Sequence, residues 1–402
     1  MLDSSSAPGP LDDLLIVDLS RVLAGPYATM VLADLGARVI KVERPASVDR
    51  SGAANPGGDD SRHIGPFIPS ASGEPQSAYF ASINRGKESI ALDLADPADR
   101  RILDALIARA DVLVENFRPG VMARLGLSWD VLHARHPRLI YAAASGFGQT
   151  GPDAAKPAYD MIVQAMGGIM SVTGWPGGKP TRVGTSIGDI TAGLFTVAGI
   201  LSALHHRHRT GEGLFVDVAM LDGQIAILEN AVARYAVSGV APGPLGARHP
   251  SITPFAAYAC DGGHIIVAAG NNALFAALAA ALDLPSLAID PRFTTNANRT
   301  DHADDLSAIL ETRLATAGAA HWLGVIEAAG VPCGPLHDVA QALGHRQVKA
   351  RNMAITTAFP DGTPLFAAGN PVKLSGYVDP PTRPKAPALD EHRAMILADL
   401  GL

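Results

Sequence analysis

The sequence has only two cysteines, Cys260 and Cys333, among its 402 residues. This number is too small for a disulfide framework or a cysteine-rich metal site, and it predicts a protein of the reducing cytoplasm. Basic residues are not in excess either, since 32 Lys and Arg stand against 39 Asp and Glu and the net charge is −7. A general nucleic-acid surface is therefore excluded, and any anion site needs a local concentration of arginine and lysine.

Long uncharged apolar runs are also missing. The longest, residues 192–204, is short for a bilayer span and follows closely after Asp189, which favours a buried helix and predicts no membrane association. The first twenty residues carry acidic side chains and no basic segment, so they are not expected to be a secretory signal.

Apolar residues make up 48% of the chain, which is enough for a large core divided between two lobes. A strand at 14–19, a helix at 27–35 and a strand at 38–43 predict the beginning of a parallel sheet. Further strands are predicted at 89–92, 112–115 and 139–144. Because helices at 97–110, 119–125 and 130–136 alternate with them, the fold class is predicted to be α/β with a doubly wound sheet.

The second half of the chain has a different pattern. Residues 157–225 are predicted to be mostly helical with one interruption. From about residue 245 a β-hairpin at 255–260 and 264–268 is followed by helices at 272–281, 303–315 and 320–329. This pattern predicts a smaller α+β lobe at 245–345 after a large lobe at 12–225. Residues 1–11 are expected to be a disordered tail, and residues 45–76 a long functional loop.

Two short motifs suggest other chemistries. Gly146-Phe-Gly-Gln-Thr-Gly151 has the spacing of a dinucleotide fingerprint, but Pro152 and the polar run after it do not open a long helix, which favours a plain turn. Gly184-Thr-Ser-Ile-Gly188 has the spacing of a serine-hydrolase elbow. The segment before it is not an apolar strand, so a serine hydrolase is the weaker interpretation.

Asp189 begins a predicted helix over 190–208. The simplest interpretation is an N-cap, in which the carboxylate accepts a hydrogen bond from the first turn. The same position stabilises an ionised carboxylate, which can attack an acyl carbon. We expect Gly184, Gly188 and Gly193 to leave room for a bulky thioester.

Other polar side chains of the sequence are candidate ligands for a metal or an anion. The segment His205-His-Arg-His-Arg209 ends the same helix, where cations complement the helix dipole, so no metal site is predicted there or elsewhere. Cys333 is expected to be a packed residue. Basic residues gather near the carboxyl ends of the predicted strands, where together they would suit a ligand with several phosphates: Arg44, Arg85, Lys87, Arg118 and Arg124.

Several blocks, in order along the chain, resemble the class III CoA-transferase family, also called the CaiB/BaiF group. They are LLIVDLSRVLAGPYATMVLADLGARVIKVERP from residue 14, NRGKESIALDL at 84–94, DVLVENFRPGVMARLGL at 111–127, PAYDMIVQAMGG at 157–168, TSIGDITAG at 185–193, RTGEGLFVDVAMLD at 209–222 and VPCGPL at 331–336. The resemblance extends from about residue 12 to the C-terminus, and ordered blocks are more specific than any single motif.

The resemblance implies a large Rossmann-like lobe, a small lobe, a return of the chain to the large lobe over 346–402, and an interlocked homodimer. It implies transfer of coenzyme A from an acyl-CoA to a free carboxylic acid, with CoA as substrate and no permanently bound cofactor. The nucleophile matches Asp189. CoA contacts carry over to Leu23, Ala24, Arg44, Leu92, Asp93, Leu94, Ala95, Asn116, Phe117, Arg118 and Arg124.

Other activities on the same fold were compared with the sequence. The α-methylacyl-CoA racemases have Gly-His-Asp where this chain has Ala158-Tyr159-Asp160, and an acid where Ala259 aligns, so a racemase is the second interpretation. Oxalate-using relatives carry a run of glycines that residues 238–249 lack, which makes oxalate less expected than a larger acid. Arg248 and His249 would suit a second carboxylate, so a dicarboxylate such as succinate is the hypothesis.

Overall fold

The computed structural model describes residues 9–48, 54–69 and 75–402. Residues 1–8 of the predicted tail, and residues 49–53 and 70–74 of the predicted long loop, lie outside the described residues. The described strands are β1 Leu15–Asp18, β2 Arg38–Glu43, β3 Ser47–Val48, β4 Ala54–Asn55, β5 Phe67–Ile68, β6 Gln76–Ser77, β7 Glu88–Ala91, β8 Val112–Glu115, β9 Ile140–Ser145, β10 Phe215–Ala219, β11 Phe255–Cys260, β12 Gly263–Ala268, β13 Cys333–Pro335, β14 Ala354–Ala358 and β15 Pro364–Ala368.

The α-helices vary widely in length, and the longest is α8. In chain order they are α1 Ala24–Asp34, α2 Ala78–Asn84, α3 Pro97–Arg109, α4 Val121–Arg124, α5 Trp129–Arg135, α6 Asp160–Met166, α7 Ile169–Val172, α8 Ile187–Thr210, α9 Met220–Ala226, α10 Glu229–Ser238, α11 Asn272–Ala281, α12 Asn296–Asp301, α13 Ala303–Leu314, α14 Ala319–Ala328, α15 Val339–Gly344, α16 Arg346–Ala350 and α17 Arg393–Leu400. Two 3₁₀ turns occupy Asp60–His63 and Pro285–Ile289.

The chain divides into two compact units. Of the described residues, the first contains those up to Met170 together with Arg182–Val240 and Arg346–Leu402, and the second contains Ser171–Thr181 and Ala241–His345. Compactness alone does not show that either unit folds independently, so the domain boundaries drawn from the sequence stay a prediction.

The first unit is built on a six-stranded sheet in the order β10-β9-β8-β1-β2-β7, and its neighbouring strands are all parallel. The predicted α/β class with a large parallel sheet is therefore confirmed. Alternate strand residues enter two separate cores, as expected when helices cover both faces of a parallel sheet. Ile16 and Val112 belong to one core, and Val17 and Leu113 belong to the other.

Most predicted elements of this unit are present with ends shifted by a few residues. Helix α1 begins at Ala24, three residues before the predicted start. The prediction of a mostly helical 157–225 was wrong at Phe215–Ala219, which forms edge strand β10 beside β9. This strand is only five residues long and follows a tight turn at Gly211, so helical patterns on both sides obscured it.

Helix α8 is central to the first unit. By length and composition it could cross a membrane, yet it packs against α1, β9 and β10, with Thr196, Ile200 and Ala203 buried. One face of the helix is therefore buried, as predicted, and the other exposes Leu194, Phe195 and Leu201.

The second unit contains the three-stranded antiparallel sheet β11-β12-β13. The predicted hairpin is present, and its turn includes Gly262 with a φ of +72°. Helices α11, α13 and α14 contribute Phe275, Leu310 and Trp322 to a core beside the sheet. This arrangement matches the α+β pattern read from the sequence.

Candidate active site

A cavity of about 250 Å³ lies beyond the carboxyl ends of four parallel strands. The chain builds the sheet from β1 outward through β2 and β7, and then adds β8, β9 and β10 on the other side of β1. Ligands of such sheets bind beyond the carboxyl ends, at the point where the strand order reverses. The cavity wall consists of Leu19, Ser20, Arg21, Lys41, Val42, Glu43, Arg44, Pro45, Gly58, Asp59, Leu92, Asp93, Leu94, Phe117, Val121 and Leu125.

Five of the residues predicted to contact CoA lie on this wall: Arg44, Leu92, Asp93, Leu94 and Phe117. The other six do not line it. Arg118 and Arg124 are exposed and flank the wall residue Val121 in the chain. Ala95 lies next to the wall residue Leu94 in the chain. The remaining three, Leu23, Ala24 and Asn116, belong to or contact the turn between β1 and α1.

That turn is held in an unusual backbone conformation. Val22 has a φ of +67°, which is rare and strained for a β-branched residue. Its N–H donates to Asp59 Oδ1 at 2.9 Å, and the N–H of Arg21 donates to Asn116 Oδ1 at 2.9 Å. Because two distant segments hold the turn, Leu23 and the start of α1 have a fixed position.

Two of the predicted phosphate-binding residues have a structural position instead. Arg85 is buried and paired with Asp34 at 2.6 Å, and Lys87 is buried and paired with Asp18 at 3.0 Å. Burial lowers the pKa of Lys87 to about 8, against the opposing effect of Asp18. Their assignment to a phosphate site was therefore wrong, because their carboxylate partners, distant in sequence, could not be identified from local pattern.

Asp189 lies inside the first turn of α8 and is not its N-cap. The helix begins at Ile187 with Ser186 in the cap position, and the Ser186 side chain makes no capping hydrogen bond. The cap predicted for Asp189 was wrong because another carboxylate takes the role: Asp160 Oδ1 accepts a hydrogen bond from the N–H of Gly188 at 2.8 Å.

Asp160 is held in place by its own partner. Its Oδ2 accepts from Gln164 Nε2 at 2.7 Å, and Gln164 Oε1 accepts from the N–H of Val183 at 2.9 Å. Asp160 and Gln164 are both buried. A chain of hydrogen bonds thus links the segment before α8, helix α6 and the first turn of α8.

The environment of Asp189 favours the protonated carboxyl. Burial, and secondarily the negative charge of Asp160, raises the pKa of Asp189 to about 7. The prediction that the helix start keeps this carboxylate ionised is therefore wrong. Desolvation without a neighbouring cation outweighs the helix dipole here. A carboxyl group with a pKa near neutrality is typical of a catalytic position.

Tyr79 is a further polar group near this carboxylate that the sequence did not reveal. Burial raises its pKa, and the charges of Asp189, Asp59 and Asp160 add to the effect. Tyr79 therefore lies within electrostatic reach of both the cavity wall and Asp189. Its place in the short helix α2, after a long loop, gave no local signal.

Two of the glycines near Asp189 are packed closely against other parts of the protein, so they leave no space for a substrate. A Cβ on Gly188 would lie 2.7 Å from Val163 Cγ2 and 3.0 Å from Asp160 Oδ1, and a Cβ on Gly193 would lie 2.9 Å from the carbonyl oxygen of Ala24. The expectation that they leave space for a thioester was wrong at these two positions. At Gly184 no atom lies within 4 Å of such a Cβ, so that space is open.

The dinucleotide-like and serine-hydrolase-like motifs do not have the structural context that their chemistries need. Gly148 and Gly151 have positive φ angles of +85° and +93° in a turn after β9, with no long helix following. No strand is present among residues 178–185, so Ser186 is not on a strand–helix elbow. Cys333 packs against the core of the second unit. Within the described residues, no cluster of three His, Cys, Asp or Glu is arranged to hold a metal ion.

The profile of CoA-transferase family III matches residues 11–393 of this chain. The chain belongs to CoA-transferase family III. Among curated relatives of this transferase, the acetyl-CoA:oxalate CoA-transferase of Acetobacter aceti is 49% identical, with 96% of this chain and 95% of the relative covered. The succinate–glutarate CoA-transferase of Agrobacterium fabrum is 39% identical, with 100% and 98% covered.

A solved structure agrees with this membership. A CaiB/BaiF family protein from Brucella suis is 40% identical to the transferase, and the alignment covers 98% of this chain and 100% of that chain with a TM-score of 0.82. The resemblance to the class III family read from the sequence is thus confirmed, and so is membership in an enzyme family that uses CoA thioesters.

Proposed function

We propose that this transferase moves CoA from an acyl-CoA to a dicarboxylic acid and that Asp189 is the nucleophile. The observation that carries the proposal is the state of Asp189: it is a partly buried carboxyl with a pKa of about 7 and a second carboxylate, not a cation, as its main charged neighbour. Such a group is costly to bury and would not be expected where only packing is needed.

In the proposed reaction the Asp189 carboxylate is joined in turn to the donor acyl group, to CoA and to the acceptor acid. Asp189 attacks the thioester carbonyl and expels the CoA thiolate, which gives an acyl-aspartyl anhydride. The thiolate attacks the aspartyl carbonyl, releases the donor acid and leaves an aspartyl-CoA thioester. The acceptor carboxylate then attacks that thioester, expels the CoA thiolate and forms a new anhydride. CoA attacks the acceptor's acyl carbon, which yields the new acyl-CoA and frees Asp189.

The cavity beyond the strand ends is proposed to bind CoA. Its wall combines apolar side chains such as Phe117 and Leu125 with Arg44, which suits a nucleotide whose base is flat and whose phosphates are anionic. The turn at Leu23 and Ala24 is proposed to connect the two regions, since Ala24 packs against Ala192 of α8 and its neighbouring turn is bonded to Asp59 on the cavity wall.

A dicarboxylate is proposed because the relatives are named for such acids. The two relatives described above act on oxalate, or on succinate and glutarate. The similarity to the oxalate relative makes oxalate the first acid to test, ahead of the succinate inferred from the sequence. Arg248, one basis of that inference, pairs with Asp304 at 2.7 Å, and the His249 ring stacks on Phe255.

The test is incubation with acetyl-CoA or succinyl-CoA and a panel of acids: oxalate, succinate, glutarate, and acetate as a monocarboxylate. We expect mass spectrometry to find a new acyl-CoA with a dicarboxylate and a covalent adduct on the peptide containing Asp189. Transfer at the full rate by Asp189→Ala would reject this mechanism. Deuterium uptake at the α-carbon of a branched acyl-CoA, without transfer, would favour the racemase instead.

We also propose that the transferase is a cytoplasmic homodimer with interlocked subunits. Helices α6, α8 and α9 contact one another and expose Met166, Leu194, Phe195 and Ile225, and exposed apolar side chains grouped in this way are typical of an interface between proteins. Light scattering should give twice the chain mass of 41.6 kDa. Interlocked subunits should not exchange with a tagged copy under native conditions, and rapid exchange would argue against interlocking.

A further inference from the structure

Asp60 lies between two arginines of the cavity wall. Its Oδ1 is 2.8 Å from Arg44 Nη2, and its Oδ2 is 3.3 Å from Arg21 Nη1. All three side chains are 39–48% exposed. One carboxylate thus bridges two guanidinium groups, using one oxygen for each.

Arg21 is tied to residues already predicted to contact CoA. The Asn116 side chain accepts from the N–H of Arg21 at 2.9 Å and donates to its carbonyl oxygen at 2.7 Å. The Arg21 guanidinium carbon lies 5.8 Å from the centre of the Phe117 ring. Arg21 was absent from the sequence-based site, because a basic residue after β1 has no distinctive local pattern.

Asp60 and its neighbour Asp59 have different contacts, and only Asp59 holds the turn between β1 and α1 in place. Asp59 is buried, pairs with Lys41 at 2.8 Å and accepts from the N–H of Val22, so the turn depends on it. The Asp60 side chain is partly exposed, and its contacts are with the two arginines. Exposed ion pairs are weak and exchange readily for a better anion. A phosphate carries more charge and more acceptor oxygens than a carboxylate, and it pairs with arginine more strongly.

We propose that Asp60 is an internal competitor for phosphate, which holds Arg21 and Arg44 until a phosphate group of CoA displaces it from both. The proposal rests on the proposed CoA function of the cavity and adds Arg21 to the residues that bind the ligand. Asp60 then lowers CoA affinity while keeping both arginines paired in the free enzyme.

The test is calorimetric binding of CoA to Asp60→Asn. Asparagine keeps the size of the side chain and removes its charge, so we expect CoA to bind about threefold to tenfold more tightly. Arg21→Gln should weaken binding by a similar factor, and in an Arg21→Gln, Arg44→Gln background Asp60→Asn should have no effect. The matched control is Asp104→Asn, since Asp104 is 45% exposed, pairs with Arg100 and does not line the cavity. Its CoA affinity should not change.

Dephospho-CoA lacks the 3′-phosphate, so its binding shows which phosphate group of CoA displaces Asp60. If Asp60→Asn still tightens binding, the pyrophosphate displaces Asp60, and if the gain is lost, the 3′-phosphate does. Equal or weaker CoA binding by Asp60→Asn, with normal binding by the wild type, would overturn the proposal and leave the proposed function intact. If the wild type binds no CoA, the proposed function fails. Inorganic pyrophosphate then tests the Asp60 proposal: tighter binding by the variant supports it, and unchanged or absent binding overturns it.

Discussion

Asp59 and Asp189 are two aspartates of the same unit with opposite electrostatic states. Desolvation is the largest influence on both pKa values and acts in the same direction. At Asp59 it is overcome by Lys41 and by hydrogen bonds from Ser61 and Val22, so the pKa is lowered. At Asp189 the main charged neighbour is Asp160, and the pKa rises to about 7. The partner, not the burial, decides the state of the carboxyl.

The contrast separates structural from reactive carboxylates. Around the cavity, three buried acids each have a cation close by: Asp18 has Lys87, Asp59 has Lys41 and Glu43 has Arg62. Burying an uncompensated charge costs free energy, so proteins pair buried charges. Asp189 departs from this rule, and so does buried Glu115, whose pKa burial also raises to about 7. Glu115 accepts hydrogen bonds from the N–H of Phe117 and the hydroxyl of Tyr141, whereas the charge that acts on Asp189 is a second carboxylate, which is the physical reason to regard Asp189 as functional.

The largest expected effect is loss of transfer in Asp189→Asn. Without a nucleophilic carboxylate, the rate should fall by about 10³-fold or more, while CoA binding persists.

The pKa of Asp189 is higher in the folded than in the unfolded chain, so its ionisation lowers stability as pH rises from about 4 through 7. Asp189→Asn should therefore be more stable than the wild type at pH 8, by roughly 1–3 kcal/mol, and equally stable at pH 4.

Chemical denaturation at the two pH values measures this difference. If Asp189→Asn were less stable at pH 8, Asp189 would be a structural carboxylate like Asp59, and the contrast between them would disappear.

The next effect should come from breaking a compensated pair. Lys41→Met leaves Asp59 buried without its cation and should cost about 3–5 kcal/mol of unfolding free energy. The control is Lys156→Met, whose partner Asp153 lies 2.7 Å away at the surface, and it should cost about 1 kcal/mol or less. Similar losses in the two variants would mean that compensation beneath the cavity contributes no more than a surface pair.

The sequence was sufficient for elements with local patterns and insufficient for the partners of the site. Buried parallel strands contain apolar runs such as residues 112–114, so five of the six strands of the sheet were predictable and only edge strand β10 was not. Asp189 was correctly placed at a helix start, but the residue that caps this helix was not identified, because Asp160 lies 28 residues before its partner Gly188. Arg85 was misjudged for the same reason, since its partner Asp34 is 51 residues distant. Whether a charged residue is paired depends on contacts that no local pattern encodes.

A smaller loss of stability is expected when a larger residue at position 188 pushes Asp160 out of place. In Gly188→Ala the new methyl group would crowd Val163 and Asp160, which should cost about 1–3 kcal/mol, partly offset by the better helix propensity of alanine. Gly184→Ala is the matched control, because its methyl group would meet no atom within 4 Å. Thermal unfolding of both variants measures the difference. Equal stability would show that the Asp160–Gly188 contact adapts without cost.

The smallest effect, and the sharpest test of the contrast, is a shifted pH profile in Asp160→Asn. Only ionised Asp189 attacks, so the wild-type rate should rise with pH through about 7 and at pH 6 reach about one tenth of its plateau. The amide oxygen of the introduced asparagine can still accept from Gly188, but the negative charge is gone, so Asp189 should ionise at lower pH. At pH 6 the variant should then retain about two- to fivefold more of its own plateau rate than the wild type. An unchanged midpoint with a lower plateau would mean that Asp160 only positions the first turn of α8, and that burial alone sets Asp189 apart from Asp59.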